Sequence, residues 1–274
     1  MRLTGRRQRS VRPGRSLILL GTLCGLFILL PACRTLHPAE ADSVPFLTPE
    51  IIAVLPHDPT AYTQGLLYHA GHLYESTGRY GRSELRRVDP ATGKVLQRVR
   101  LEDRFFGEGL ARVDDRLIQL TWGEKTALVY DSTTFAPLGR FSYEGEGWGL
   151  CYDGRHLYRS DGGSRLMLHA PDTFAVVGAL PVTRGGRPVT HLNELACVGS
   201  HIYANVFLSD HIVQIDKQSG QVSAVIDGSR LLAPRERDAL PADAVLNGIA
   251  WDPREAVFYL TGKLWPKMFK VRLE

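Results

Sequence analysis

Five residues able to share a proton, donate hydrogen bonds or stack on an apolar ligand recur at matched places in this chain of 274 residues. Gln64, Glu108, Trp148, Asn193 and Asn247 each stand directly before a Gly-Leu-like pair: Gly65-Leu66, Gly109-Leu110, Gly149-Leu150, Glu194-Leu195 and Gly248-Ile249. The set offers one carboxylate, three amides and one indole. An amide or carboxylate near a core costs ~1–3 kcal/mol unless it is hydrogen-bonded, so polar types at repeated core positions point to a site. Aromatic residues gather at the same places. Tyr62, Phe106, Trp122, Trp148 and Phe207 lie within a few residues of a matched position or on the strand after it. Aromatics beside one carboxylate suggest a pocket for a small, partly apolar ligand. Low polarity there would raise the pKa of Glu108, and a carboxyl so tuned can take and give a proton near neutral pH.

The elements that must position these residues follow from the repeat. Each copy is followed by a second strand-like run, from His72-Leu73-Tyr74-Glu75-Ser76 in the first to Val257-Phe258-Tyr259-Leu260-Thr261 in the last. Gly65, Gly109, Gly149, Glu194 and Gly248 lie 44, 40, 45 and 54 residues apart. A period of about 40–50 residues filled with short strands indicates propeller blades. Turn clusters such as Asp89-Pro90-Ala91-Thr92-Gly93 and Asp216-Lys217-Gln218-Ser219-Gly220 separate further runs, giving four strands per repeat. The expected architecture is all-β: a five-bladed β-propeller with short four-stranded antiparallel blades. The matched residues would then face one another around the central axis. Residues 228–242 are the main insertion and carry a short helical pattern. Ile51 to Val54 is the candidate strand for closing the ring, since an open sheet edge invites aggregation.

The domain plan has three parts. Residues 1–33 read as an export signal: six arginines precede an apolar stretch from Leu17 to Leu30, shorter than a spanning helix needs. Leu30-Pro31-Ala32-Cys33 resembles a bacterial lipobox, with Pro31 an unusual occupant, so a periplasmic or Cys33-anchored protein of the cell envelope is expected. Residues 34–50 read as a tether and 51–274 as the propeller. The formal charge is +4, and without the six signal arginines it is −2. The basicity belongs to targeting, and nucleic-acid binding is not expected. Membrane contact is expected only through the N-terminal segment, and the protein is expected to be a monomer. Cys24 and Cys33 fall in the signal. Cys151 lies three residues past its matched position and Cys197 four past its own. Opposite parity points strand side chains to opposite faces, so free, buried thiols are expected. No metal-ligand spacing, nucleophile elbow, Walker loop or dinucleotide fingerprint is present. His57-Asp58, without a partnered serine, reads as a loop pair.

The ordered motifs from Pro56-His57-Asp58-Pro59 onward resemble the plant/bacterial-type glutaminyl cyclases. They include Tyr62-Thr63-Gln64-Gly65-Leu66, Phe106-Gly107-Glu108-Gly109-Leu110, Gln119-Leu120-Thr121-Trp122 and Glu146-Gly147-Trp148-Gly149-Leu150. Leu192-Asn193-Glu194-Leu195, Tyr203-Ala204-Asn205-Val206, Leu246-Asn247-Gly248-Ile249 and Thr261-Gly262-Lys263-Leu264-Trp265 continue the match to the C-terminus. The resemblance implies a five-bladed propeller, unrelated to the zinc-dependent animal cyclases, that turns an N-terminal glutamine into pyroglutamate and releases ammonia. The implied partner is a peptide or protein with a free N-terminal glutamine; no redox or organic cofactor is required, and although such folds can hold a metal on the axis, no ligand set in this chain argues for one. The family's acid/base glutamate falls on Glu108. Its pocket amides fall on Gln64 and Asn193, its lysine on Lys263, and its pocket aromatics on Tyr62, Phe106, Trp122 and Trp148. Asn247 and Phe207 join the expected substrate-binding set. Tyr62 stands where phenylalanine is usual and Phe207 where tryptophan is usual. Two other readings are a propeller that binds peptides or sugars without catalysis, and a calcium-dependent propeller hydrolase. The latter needs several acidic or amide ligands round an axial ion, and this ring has one carboxylate at the aligned level.

Overall fold

The computed structural model describes residues 44–273. The expectations for residues 1–33, including Cys33, lie outside this range. Two N-terminal strands, β1 (Phe46–Leu47) and β2 (Pro49–Pro56), precede the first blade. Blade 1 is β3 (Thr63–His69), β4 (His72–Thr77), β5 (Glu84–Val88) and β6 (Val95–Arg100). Blade 2 is β7 (Gly107–Val113), β8 (Arg116–Thr121), β9 (Thr126–Asp131) and β10 (Pro137–Ser142). Blade 3 is β11 (Leu150–Tyr152), β12 (Leu157–Arg159), β13 (Arg165–His169) and β14 (Val176–Pro181). A small hairpin, β15 (Thr183–Arg184) and β16 (Arg187–Pro188), leads to blade 4: β17 (Leu192–Val198), β18 (His201–Val206), β19 (His211–Asp216) and β20 (Val222–Asp227). One helical turn, α1 (Pro234–Asp238), sits in the insertion that the sequence marks, before the last strands β21 (Leu246–Asp252), β22 (Val257–Gly262) and β23 (Lys267–Leu273). The five-bladed, four-stranded, antiparallel architecture is as expected.

Ring closure uses the segment marked for it. β2 runs antiparallel to β23 with Ile51 opposite Val271 and Leu55 opposite Met268, which gives blade 5 its fourth strand. β1 pairs in parallel with β20, so the same short stretch also edges blade 4. Both strands begin inside the 34–50 segment expected as a tether. Burial is graded along each blade. The innermost β7 is almost wholly buried and the outermost β10 almost wholly exposed. Inner strands are covered on both faces by neighbouring blades, which explains their continuous runs of apolar and small residues. The turns between third and fourth strands of blades 1, 2 and 4 share one chemistry. The side chains of Asp89, Asp131 and Asp216 each accept the backbone N–H groups two and three residues on.

Cys151 and Cys197 form a disulfide with their Cα atoms 5.5 Å apart, which corrects the expectation of free thiols. The alternation behind that expectation holds. Leu150 packs toward blade 2 with Ile118 and Leu120, so Cys151 next to it faces blade 4. Ala196 packs toward blade 5, so Leu195 and Cys197 face back toward Cys151. Blades stack front to back, and opposite faces of adjacent strands are the ones that meet. Opposite parity therefore brings the sulfurs together; it would separate them only within a single sheet.

Candidate active site

Four of the five inner strands carry a β-bulge at the matched positions. The register slips by one residue between Thr63 and Gly65, Gly107 and Leu110, Leu192 and Leu195, and Leu246 and Ile249. A bulge leaves one residue unpaired and re-aims its side chain. Here it turns Gln64, Glu108, Asn193 and Asn247 out of the blade-to-blade packing and toward the axis. The following glycines allow the strands to converge there: a Cβ on Gly65 would lie 2.6 Å from the Leu110 nitrogen, and those on Gly109 and Gly149 would run into the next inner strand.

A cavity of about 280 Å³ opens at this end of the axis, lined by Tyr62, Gln64, Phe106, Glu108, Trp122, Trp148, Asn193, Phe207 and Lys263. Nine of the ten residues expected at the site thus share one wall. Asn247 stands behind it: its Nδ2 donates to the Thr63 carbonyl at 2.9 Å and approaches Gln64 Oε1 at 3.4 Å. It therefore orients Gln64 and does not line the cavity. Gln64 Nε2 donates to Glu108 Oε1 at 2.8 Å. Burial pushes the Glu108 carboxyl well above the usual carboxylate range; the Lys263 charge pulls the other way, while Glu124 and Glu146 add to the rise. Lys263 is 2% exposed. Its ammonium lies 4.9 Å from the ring centres of both Tyr62 and Phe207. Burial lowers its pKa to about 8 against the opposing pull of Glu108. The two positions that depart from the resembled family are thus the two rings that hold this lysine.

The aromatic wall is a linked series. Phe106 meets Tyr62, Tyr80 and Trp122 edge-on at 6.1, 5.4 and 5.8 Å, and Trp148 meets Phe207 at 5.5 Å. Gly78 leaves room for Phe106, where any Cβ would clash, and Gly162 at φ +78° does the same for Trp148 at 2.7 Å. Residues that sequence reasoning missed complete it. Glu146 Oε2 accepts the indole N–H of both Trp122 and Trp148 at 2.8 Å each, pinning two blades' contributions with one oxygen. Glu124 takes the Tyr80 hydroxyl at 2.7 Å. Arg79 lies over the Tyr62 ring at 4.4 Å and pairs with Asp243 at 2.6 Å. The sequence signal for Glu146 was its place two residues before Trp148. Arg79 and Asp243, 164 residues apart, carried none.

Beside the cavity lies a buried latch between blades 1 and 5. His57 hydrogen-bonds the Trp265 carbonyl through Nδ1 at 2.6 Å and Glu75 through Nε2 at 3.0 Å. Thr63 donates to the same Glu75 oxygen at 2.7 Å. Asp58 pairs with Arg86 at 2.8 Å. His57 and Asp58 are thus a loop pair with separate partners. Burial alone would lower the His57 pKa, but Glu75, the Trp265 carbonyl and Asp58 together outweigh it and the net shift is upward. Both ring nitrogens face oxygen acceptors, an arrangement that favours the imidazolium form. Among the described residues no group of three His, Cys, Asp or Glu side chains is placed to hold a metal ion.

Comparison with known proteins agrees with this geometry. Residues 25–273 match the family described as glutamine cyclotransferase. A glutaminyl-peptide cyclotransferase of Arabidopsis thaliana is 41% identical over 228 residues, covering 82% of this chain and 71% of that protein. The crystal structure of Myxococcus xanthus glutaminyl cyclase superimposes with a TM-score of 0.78 at 41% identity, over 84% of this chain and 97% of that one.

Proposed function

The chain belongs to the glutamine cyclotransferase family, and from that premise we propose that it closes the N-terminal glutamine of peptides or proteins to pyroglutamate, with Glu108 as general acid and base. The observation that carries the reading is the Gln64–Glu108 hydrogen bond of 2.8 Å at the floor of an aromatic cavity that also holds Lys263. The substrate's neutral α-amine attacks its own γ-amide carbon. A C–N bond forms, the bond to the amide nitrogen breaks, and ammonia leaves. Glu108 accepts the proton from the amine and returns it to the departing nitrogen. Both reacting groups belong to one residue, so holding its bent conformer between the indoles and Phe106 supplies much of the rate. One N–H of Gln64 is engaged by Glu108; its second N–H, Lys263 and Asn193 are the donors available to the oxygen that gains charge. Trp122 and Trp148, fixed by Glu146, exclude water from the reacting atoms.

The test follows ammonia release and the matching mass loss from a synthetic peptide beginning with glutamine, with an N-acetylated peptide as control. Turnover is expected only with the free amine. Glu108→Gln should fold and lose ~10²–10⁴ in turnover; near-wild-type turnover would remove Glu108 from the role. We further propose export, with Cys33 as the site of lipid attachment. The Cys151–Cys197 disulfide supports an oxidising compartment. Incorporation of labelled fatty acid should be lost in Cys33→Ala, and labelling of that variant at the wild-type level would rule out attachment there.

A further inference from the structure

The residue after each matched position is glycine in blades 1, 2, 3 and 5 and glutamate in blade 4: Gly65, Gly109, Gly149, Gly248 and Glu194. The glutamate side chain is fully buried at the axis. Its Oε1 accepts the backbone N–H of Leu66 at 2.8 Å. Leu66 belongs to β3 of blade 1, two blades on from β17. The other side-chain hydrogen bonds of the ring join adjacent blades: Gln64 to Glu108, Asn247 to the Thr63 carbonyl, Asn205 to the Gly248 nitrogen, and Ser160 to the Asn193 carbonyl. Glu194 alone among these reaches past the intervening blade. What it grips lies two residues after Gln64, on the far side of the β3 bulge.

The protonation state follows from the surroundings. Oε2 of Glu194 has no hydrogen-bond partner among the described residues. Burial pushes this carboxyl well above the usual range; the Leu66 and Leu195 N–H groups and Lys263 oppose the rise, and Glu108 adds to it. Full burial with one oxygen unpaired favours the neutral form of this carboxyl.

We infer that Glu194 is a positioning residue, a neutral strut from blade 4 that holds the β3 bulge so that the Gln64 amide meets Glu108. The inference rests on the acid/base reading of Glu108. Displacement of a reacting group by about 1 Å is enough for a ~10²-fold loss of rate, so the strut acts on kcat and leaves substrate binding by the aromatic wall intact.

Three variants test it on the full chain with a glutamine-initiated peptide. Glu194→Gln keeps a neutral side chain with an acceptor oxygen for Leu66, so kcat and its pH profile should stay within about threefold of wild type. Glu194→Gly gives blade 4 the glycine of its neighbours and removes the strut; kcat should fall about 10- to 100-fold with KM within about threefold. In a Glu108→Gln background the same glycine substitution should add little, because the two residues act as a unit. A slow Glu108→Gln beside a fast Glu194→Gly overturns the strut alone, as does full additivity of the two losses. A wild-type rate in Glu108→Gln overturns the acid/base reading and the strut with it. Should Glu194→Gly fail to fold, Glu194→Gln still decides: a tenfold or greater loss of kcat there overturns the inference.

Discussion

Removing the disulfide is expected to weaken the propeller substantially and leave its chemistry unchanged. Cys151 and Cys197 are 46 residues apart in sequence. Closing a loop of that length removes ~13 cal/mol/K of entropy from the unfolded chain, or about 4 kcal/mol at ~25 °C. In a domain of this size each kcal/mol moves the melting temperature by about 2–4 °C, so the double variant Cys151→Ala/Cys197→Ala should melt about 8–16 °C lower. The aromatic cavity at the axis should not register the loss. Cys197 lies four residues past Asn193 along β17, roughly 13 Å at the strand rise of ~3.3 Å per residue. Both cysteines line a separate cavity of about 290 Å³ toward the other ends of the inner strands. Scanning calorimetry with and without reductant, beside turnover at ~25 °C, reads both halves of the expectation. Reductant should lower the wild-type transition and leave the double variant unchanged. A melting temperature that drops by less than about 3 °C, with thiol titration showing the wild-type bridge intact, would refute the reasoning, as would a tenfold loss of kcat in the folded variant.

Two pH-dependent outcomes follow from the charged groups around the site. The His57 pKa is raised against burial by Glu75, so the cation's stabilisation is fully present below the unfolded histidine value of ~6.5 and is lost as pH rises through the folded value. Glu75 is buried, but His57 and Arg86 hold its pKa below the ordinary value, so its share is lost only as pH falls through that lowered value. His57→Ala should cost about 3–5 kcal/mol near pH ~6 and progressively less at alkaline pH; a constant stability gap across that range would count against a charged latch. Lys263, brought to about 8 chiefly by burial, should impose a fall in kcat as pH rises through that value. Lys263→Arg should move the fall upward, and Lys263→Met should lower kcat by ~10²-fold; a Lys263→Met enzyme with the wild-type rate and profile would remove the lysine from oxyanion stabilisation.

Much of the site was legible in the chain because a propeller converts a period in sequence into a ring in space. Gln64, Glu108, Trp148 and Asn193 precede equivalent pairs, and equivalence places them at the same height around one axis. The closing strand was legible for a related reason: Ile51 to Val54 has strand character and no other partner within the five repeats. The polar partners were not legible in the same way. Glu146 binds two indoles from different blades, and Arg79 reaches Asp243 across 164 positions. Only the Glu146–Trp148 half of this has a local spacing; the reach to Trp122 and the Arg79–Asp243 pair depend on where two loops end.

By itself the sequence determined the blade count, the strand order within each blade and the types of residue at the axis, because these follow from short-range alternation and from repetition. Tertiary structure decided where those side chains point. Bulges at Gln64, Glu108, Asn193 and Asn247 break the alternation of period two, placing three of these side chains on the cavity wall and Asn247 behind Gln64. Stacking of blades front to back reversed the meaning of parity for Cys151 and Cys197. The glutamate at a glycine position became a cross-axis contact only because five strands converge closely enough for one carboxyl to span the gap. Each outcome turns on the approach of strands from different blades, a distance set by packing of the whole ring and carried by no single stretch of chain.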